Sequence, residues 1–421
     1  MSEGPSLLSV DAARELILAV CARRRLASES IRLGNACGRV LAEDVVATSD
    51  LPRFTHSAMD GFALRSSDLT PAGECRLRIV GTHLAGDTLI NAIEAGEALR
   101  ITTGAPLPDG ADTVAIKERV RVEDGMLIVD GGLPPGTNVR PRGEDYQRGE
   151  IALHAGAHIG AAQLGVLASL GLARIGVSRR PRVAVLTTGN ELVMPGTALA
   201  HAQIHNSNGY SLAALLARAG ADLLVSPAGE RFGHVADDRN QLREVLGELA
   251  ASADVIVTSG GVSAGEADFL PGVLGGIGRV HLWKVRMRPG MPLLFGEIGK
   301  TLVFGLPGNP VSSMATLLAF VLPALNSLQG ASTLSVRAWK ARLATPLHKR
   351  HDRTEFMRAT LNSAEDGTLW VTPLARQGSG MLRGMVEADA LVLIPESARE
   401  LESGAVVDAY LLPALAGMGS A

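Results

Sequence analysis

Three stretches of this chain set glycines, hydroxyls and carboxylates close enough together to handle an anion. Thr187-Thr188-Gly189-Asn190-Glu191 ends an apolar run in an acid, and Thr258-Ser259-Gly260-Gly261-Val262-Ser263 leads on to Asp268. The third is Gly305-Leu306-Pro307-Gly308-Asn309-Pro310-Val311-Ser312. A Gly-Gly pair between hydroxyls lets backbone N–H groups close around an oxyanion, and a bulkier residue at either glycine blocks that approach. Asp268 is placed to hold a divalent cation against the same phosphate. Asn309 as a cap, with Pro310 at the first helical position, starts a helix whose free N–H groups face the same edge. Neither loop is a nucleotide fingerprint. No G-x-x-x-x-G-K-[ST] occurs, and no G-x-G-x-x-G follows the first strand.

Such loops need a scaffold that gathers strand ends, and the chain supplies one from Arg182 onward. Residues 183–187 form a continuous apolar strand of the doubly covered type. Helices over 209–219 and 239–252 alternate with strands over 223–226 and 255–258, and a strand over 301–304 feeds a helix starting near Val311. This alternation predicts an open α/β sheet, whose ligands bind outside the carboxyl ends of the strands. Upstream, Ser9 caps a helix that sets Val10, Ala13, Ile17 and Val20 on one face, and the chain turns irregular after Arg25. Strands over 76–82, 98–102, 113–122 and 126–129, with Asp-Gly turns at 109–110 and 124–125, predict a β-rich insert. Residues 160–172 return to helix. Beyond Gly330, strands over 338–344, 355–361, 369–372 and 391–394 predict a small β barrel or sandwich.

Composition narrows the partners. Lysine and arginine number 40 against 43 acids, a formal charge of −3, which argues against nucleic-acid wrapping or a polybasic membrane anchor. Apolar residues at 46% are enough for several cores, and aromatics at 3% are too few for a base-stacking platform. Cys21, Cys37 and Cys75 form no C-x-x-C pair and predict reduced thiols, and the histidines give no zinc motif. No signal peptide is visible, and the apolar stretch 314–325 is too short to span a bilayer, so it predicts a buried helix in a soluble, cytoplasmic protein.

With Ser57-Ala58-Met59-Asp60-Gly61-Phe62-Ala63, Thr103-Gly104-Ala105-Pro106 and Arg142-Gly143-Glu144-Asp145 added, six motifs stand in the order and spacing of one family. The chain resembles the MoeA family of molybdenum cofactor synthesis, also represented by the gephyrin E domain. The resemblance implies a molybdopterin molybdenumtransferase, which takes adenylylated molybdopterin and molybdate, releases AMP in a Mg²⁺-dependent step and leaves molybdenum on the dithiolene. It implies a homodimer of multidomain α/β plus β class. Residues 1–50 and 141–180 would form an elongated dimerisation domain, 51–140 a β-rich insert, 181–329 an open α/β MogA-like pterin-binding domain, and 330–421 a C-terminal β barrel. A MogA-like adenylyltransferase would be a partner. Alternative activities are MogA-like adenylylation itself or a non-catalytic, gephyrin-like scaffold.

The same resemblance assigns roles by motif. Asp60, Thr103 and Asp145 match positions that reach the cleft from the partner subunit. Glu191, Asp237 and Asp268 match acidic cleft residues, with Glu191 and Asp268 on the Mg²⁺ side. Lys284 and Arg288 match basic residues beside the pterin and oxyanion. Ser259, Gly260, Gly261, Ser263, Gly305, Pro307, Gly308, Asn309 and Ser312 match the pterin-binding loops, and Arg353 and Ser379 match the molybdate pocket. Where the family often has Lys-Pro-Gly-Lys-Pro, this chain has Arg288-Pro289-Gly290-Met291-Pro292, so Met291 removes one cation from that pocket. The stretch 231–235 before Asp237 is also longer than usual.

Overall fold

A computed structural model of the chain describes residues 7–88, 92–263, 268–335 and 337–412. They fall into two compact units. One comprises Asp44–His154 with Gly165–Ala173, and the other comprises the N-terminal segment up to Glu43, Ala155–Leu164 and the chain from Arg174 on. The fold class is multidomain α/β plus β, as the sequence predicts.

The smaller unit carries a six-stranded sheet in the order Thr113–Ile116, Gly61–Leu64, Glu97–Ile101, Glu74–His83, Met126–Asp130, Val120–Glu123. Phe62, Leu64, Leu77, Ala98, Leu127 and Val129 alternate onto its buried face. Asp124 and Gly125, at φ 48° and 78°, make the tight turn between the last two strands. The strand predicted over 113–122 is broken in two by a 3-10 turn, Lys117–Arg119. The Lys117 N–H leaves the ladder to donate to the Asp60 carbonyl at 3.1 Å. Gly61–Leu64 escapes the sequence pattern because all four of its residues are buried, which erases the alternation that marks a strand.

In the larger unit the expected helix forms at Val10–Ala22, and the Ser9 hydroxyl accepts from the Ala12 N–H at 3.1 Å. The segment predicted to be irregular after Arg25 contains a strand, Ser28–Arg32, paired antiparallel with Arg174–Ser178. The main sheet places Arg182–Thr188 beside Val255–Ser259 and then Thr301–Leu306, all parallel. Two further strands, Leu294–Ile298 and Arg279–Trp283, extend it antiparallel, so the sheet is mixed rather than wholly parallel. The edge strand predicted over 223–226 is two short pieces, Asp222–Leu223 and Gly233–Val235, both parallel to Arg182–Thr188. The long stretch before Asp237 is the second piece.

Alternate side chains of these strands feed two cores. Val183, Val185, Val257, Leu302 and Phe304 pack with Val10–Ala22, Ser207–Arg218 and the 310–328 helix. Ala184, Leu186, Ile256 and Val303 pack with Arg239–Ala250 and Leu270–Ile277. The 310–328 helix has membrane-spanning length and apolarity, but 89% of it is buried inside the chain's own core. It widens to a π turn at Leu317–Val321, just before Pro323. Proline offers no N–H, and its ring displaces the carbonyl four residues back. That carbonyl, of Ala319, accepts from Arg14 Nε instead, at 3.4 Å.

Beyond this helix Trp339–Leu343, Leu369–Pro373, Thr354–Ser363, Ala390–Ile394 and Val406–Leu411 pair in a closed ring of five, a β barrel around Leu343, Ala359, Val371 and Val392.

Candidate active site

A cleft of about 680 Å³ opens at the carboxyl ends of the three parallel strands. Ser259, Gly260, Gly261, Ser263, Pro307, Gly308 and Asn309 line it, as do Glu191, Asp237 and Asp268. Gly305 and Ser312 do not. Gly305 sits inside its strand, where an added Cβ would come within 2.5 Å of Leu270 and 2.6 Å of Val262, so its role is packing. Ser312 is buried in the following helix. Residues 264–267, within the motif that ends at Asp268, lie outside the described residues.

The two glycine loops are welded to each other from below. Ser259 Oγ donates to the Pro307 carbonyl at 3.1 Å and lies 3.2 Å from Ser313 Oγ. Asn208 Nδ2 donates to Ser259 Oγ at 2.9 Å and to the Gly308 carbonyl at 2.7 Å. Gly260 and Gly261 have φ of +101° and +67°, and a Cβ on Gly260 would lie 2.6 Å from the Thr188 carbonyl. Glycine is therefore required here, and the obstacle is the neighbouring strand rather than a ligand. The Gly260 N–H donates to the Leu306 carbonyl at 3.1 Å and so does not itself face an oxyanion.

The acids enter from separate elements. Asp237 Oδ2 accepts from the Asn190 N–H at 3.1 Å, and the Asp237 N–H donates back to Asn190 Oδ1 at 3.0 Å. Asp238 instead caps Arg239–Ala250, accepting from the Gln241 N–H at 2.7 Å. Glu191 folds its carboxylate over Gly189, whose φ is +145°. Among the described residues, no three histidine, cysteine or acidic side chains converge as a ready metal cage. Glu191, Asp237 and Asp268 still share one cleft, and a hard dication held by one or two carboxylates plus substrate phosphates needs no more than that. His201 and His205 do stand four residues apart, but Ile204–His205 is a strand, and His205 Nε2 lies 3.1 Å from the Thr197 carbonyl.

The barrel adds the remaining side. Asn309 holds the N-cap position without capping, because its Nδ2 donates to Ser379 Oγ at 3.1 Å and the Val311 N–H donates to the Ser379 carbonyl. Gly380 and Leu382, next to Ser379, line the cleft. Arg353 Nη1 lies 3.6 Å from the Met291 sulfur, which places the unexpected methionine directly against a predicted cation. Arg288 Nε lies 3.5 Å from Glu355 Oε1, and His351 Nε2 lies 3.1 Å from the other oxygen of that carboxylate. Burial pushes the His351 imidazole below its ordinary range despite this neighbour. Lys284 adopts φ +74° and sets its ammonium 4.6 Å from the Trp283 ring.

Asp60, Thr103 and Asp145 belong to the smaller unit. Asp60 Oδ1 accepts from both the N–H and the hydroxyl of Thr103 at 2.9 Å, and Oδ2 accepts from Lys117 Nζ at 3.3 Å. The Thr103 N–H above all, then its hydroxyl and Lys117, holds the Asp60 carboxyl below the usual carboxylate range. Asp145 is exposed on a bend, its N–H donating to the Leu51 carbonyl at 3.0 Å.

Sequence reasoning missed Asn206, Asn208 and Glu355. Asn206 caps Ser207–Arg218 through the Gly209 N–H and donates to Thr187 Oγ1 at 2.8 Å, and both asparagines line the cleft. The signal was Asn-Ser-Asn-Gly at 206–209, cap-forming residues at the start of the helix placed only from Gly209.

Most of the chain is similar to known proteins. Residues 8–171 match the MoeA N-terminal region (domain I and II), 184–327 a probable molybdopterin binding domain, and 340–412 the MoeA C-terminal region (domain IV). The molybdopterin molybdenumtransferase of Haemophilus influenzae is 33% identical over 90% of this chain and 93% of its own length. Gephyrin of Dictyostelium discoideum is 31% identical over 97% of this chain and 62% of its own. The crystal structure of the molybdopterin biosynthesis MoeA protein of Pyrococcus horikoshii OT3 superposes with a TM-score of 0.81 at 26% identity, covering 96% of this chain and 100% of that one. On sequence and in fold, the chain belongs to the MoeA family.

Proposed function

We propose that the chain is a cytoplasmic molybdopterin molybdenumtransferase, which joins molybdate to the dithiolene of adenylylated molybdopterin and releases AMP in a Mg²⁺-dependent step. The observation that carries this reading is the make-up of one cleft. Carboxylates Glu191, Asp237 and Asp268 share it with the welded glycine loops, and the barrel brings Ser379 to its edge. The functional domains are 1–50 with 141–180, 51–140, 181–329 and 330–421.

Each part has a physical task. Glu191 and Asp268 would hold Mg²⁺, which when bound offsets the charge of the pyrophosphate. Asp237 fixes the Asn190 loop beside them. Arg353, Arg288 and Lys284 supply positive charge, and the Ser379 hydroxyl a donor, suited to a tetrahedral dianion. Asp60, Thr103 and Asp145 of the partner subunit act in a homodimer, and a MogA-like adenylyltransferase supplies the substrate.

The test is direct. Purified chain given adenylylated molybdopterin, molybdate and Mg²⁺ is expected to release AMP, read by chromatography, and to form active cofactor. Substrate binding without AMP release overturns the reading. Asp268→Asn is expected to lower the Mg²⁺-dependent turnover while the thermal transition stays in place.

A further inference from the structure

Arg358 is the largest fully buried side chain among the described residues, at 1% exposure. Its strand neighbours Met357 and Ala359 face the barrel core, so Arg358 points out of the barrel wall on the side of Phe356, which joins the α/β core. No carboxylate lies within 4 Å of the guanidinium among the described residues, and burial holds its pKa below the ordinary value. A buried, unpaired cation costs several kcal/mol unless dipoles compensate it.

Backbone carbonyls supply that compensation, and all of them come from one loop. Nη1 donates to the Met381 carbonyl at 2.8 Å, and Nη2 donates to the carbonyls of Arg376 and Gly378 at 3.1 Å each. Gln377 closes the arrangement. Its Oε1 accepts from the Arg358 N–H at 3.1 Å, and its Nε2 donates to the Arg358 and Leu374 carbonyls. Because peptides are planar and trans, each carbonyl drawn inward turns the following N–H, of Gln377, Ser379 and Leu382, away from the guanidinium. This same loop carries Ser379, bonded to Asn309, and sends Gly380 and Leu382 into the cleft lining.

We propose that Arg358 is a positioning residue for oxyanion binding. It clamps the 376–382 loop from behind, so that Ser379 and the outward N–H groups meet the anion in one fixed arrangement. The inference rests on the proposed function for the identity of the anion, but the clamp itself does not.

Hydrogen–deuterium exchange and calorimetric titration with sodium molybdate, both on the full chain, separate the two. In Arg358→Gln the 376–382 amides are expected to exchange faster while the α/β sheet stays protected, and molybdate is expected to bind roughly tenfold more weakly. Arg358→Lys keeps the charge but not the fork, and should recover only part of the loss. Gly384→Ala perturbs the clamp without touching the charge, since its Cβ would fall 2.6 Å from Nη1, and should loosen the same loop. The molybdate losses of Arg358→Lys and Ser379→Ala should be less than additive in the double variant, because one acts through the other. Unchanged loop exchange in Arg358→Lys and Gly384→Ala, or fully additive losses, overturns the proposal. A wild-type chain that binds no molybdate, with the variants still showing the loop response, overturns the assignment of the anion and leaves the clamp standing.

Discussion

Asp60 in the smaller unit and Asp237 in the larger one are both acids at the edge of a sheet, and each accepts a main-chain N–H. Only at Asp60 do side chains share the holding of the carboxylate. Around Asp60, side chains do much of the holding, with the Thr103 hydroxyl and Lys117 reaching an exposed carboxylate beside the Thr103 N–H. Around Asp237, the backbone does it. Its partner is the Asn190 main-chain N–H, and the loops next to it turn on Gly189, Gly260 and Gly261, all at positive φ. A site assembled from side chains can lose one and keep its fold. A site assembled from backbone cannot gain a methyl group at a turn such as Gly260 without moving the strand beside it.

The largest effect that would break this contrast is at Gly260. Alanine there meets both an unfavourable φ of +101° and the Thr188 carbonyl 2.6 Å away. We expect Gly260→Ala to cost about 3–5 kcal/mol, read from urea unfolding. Gly308 lines the same cleft, but its added Cβ would find its nearest neighbour at 3.8 Å, an ordinary contact. Gly308→Ala should therefore change stability by no more than about 0.5 kcal/mol. Equal losses at the two positions would mean that the cleft is not held by its backbone in the way described.

Asp60→Asn tests the other half. The carboxylate lies on the surface, so the variant is expected to keep the wild-type unfolding midpoint. If Asp60 acts on substrate, turnover falls by roughly 10²-fold, measured as AMP release. A drop in thermal stability as large as that of Gly260→Ala would erase the distinction between the two sites.

A side-chain lock does occur in the larger unit, at the opposite ends of the same strands. Asp254 takes both arms of the Arg179 fork, at 2.6 and 2.7 Å, and the Arg182 N–H at 2.7 Å. Partial burial raises its pKa, but the fork and the N–H outweigh burial and leave it lowered from 3.8. The stabilisation is thus complete above the unfolded value and fades as pH falls through the lower, folded one. Asp254→Asn should lose about 2 kcal/mol at pH 7, less than a fully buried bridge because solvent reaches one side. The gap between the two proteins should begin to narrow below about pH 4 and close only below the lowered, folded pKa, read from denaturation midpoints across the acid range.

How much of this could be read from the residues alone follows the same division. The apolar strands at 183, 255 and 301 and the glycine loops after them stand in the sequence, because a buried parallel strand and a positive-φ turn each demand a restricted set of residues. The antiparallel extension Arg279–Trp283 and Leu294–Ile298 was not legible, since neither stretch alternates cleanly enough to mark a strand. Arg358 and Glu355 were equally silent. A charged residue in a strand reads as solvent-facing, and only the tertiary packing of the barrel wall against the α/β core makes it buried. Met291 was visible as a departure from the family pattern, while its contact with Arg353 depended on the loop's path.

The smallest effect is also the most discriminating, because it sets two adjacent and chemically identical residues against each other. In sequence the pair Asp237-Asp238, standing before a helix, is equally well explained as N-terminal capping and dipole matching. The structure divides them, giving the cap to Asp238 through Gln241 and the cleft to Asp237 through Asn190. Removing a capping carboxylate costs about 1 kcal/mol and is nearly repaired by another capping side chain. Asp238→Ala should therefore lower the unfolding free energy by that amount with AMP release intact, and Asp238→Ser should restore most of it. Asp237→Ala should show the converse, a loss of turnover that serine does not rescue. If both variants lose only stability, Asp237 belongs to the scaffold, and the backbone-held side of the cleft has one functional acid fewer.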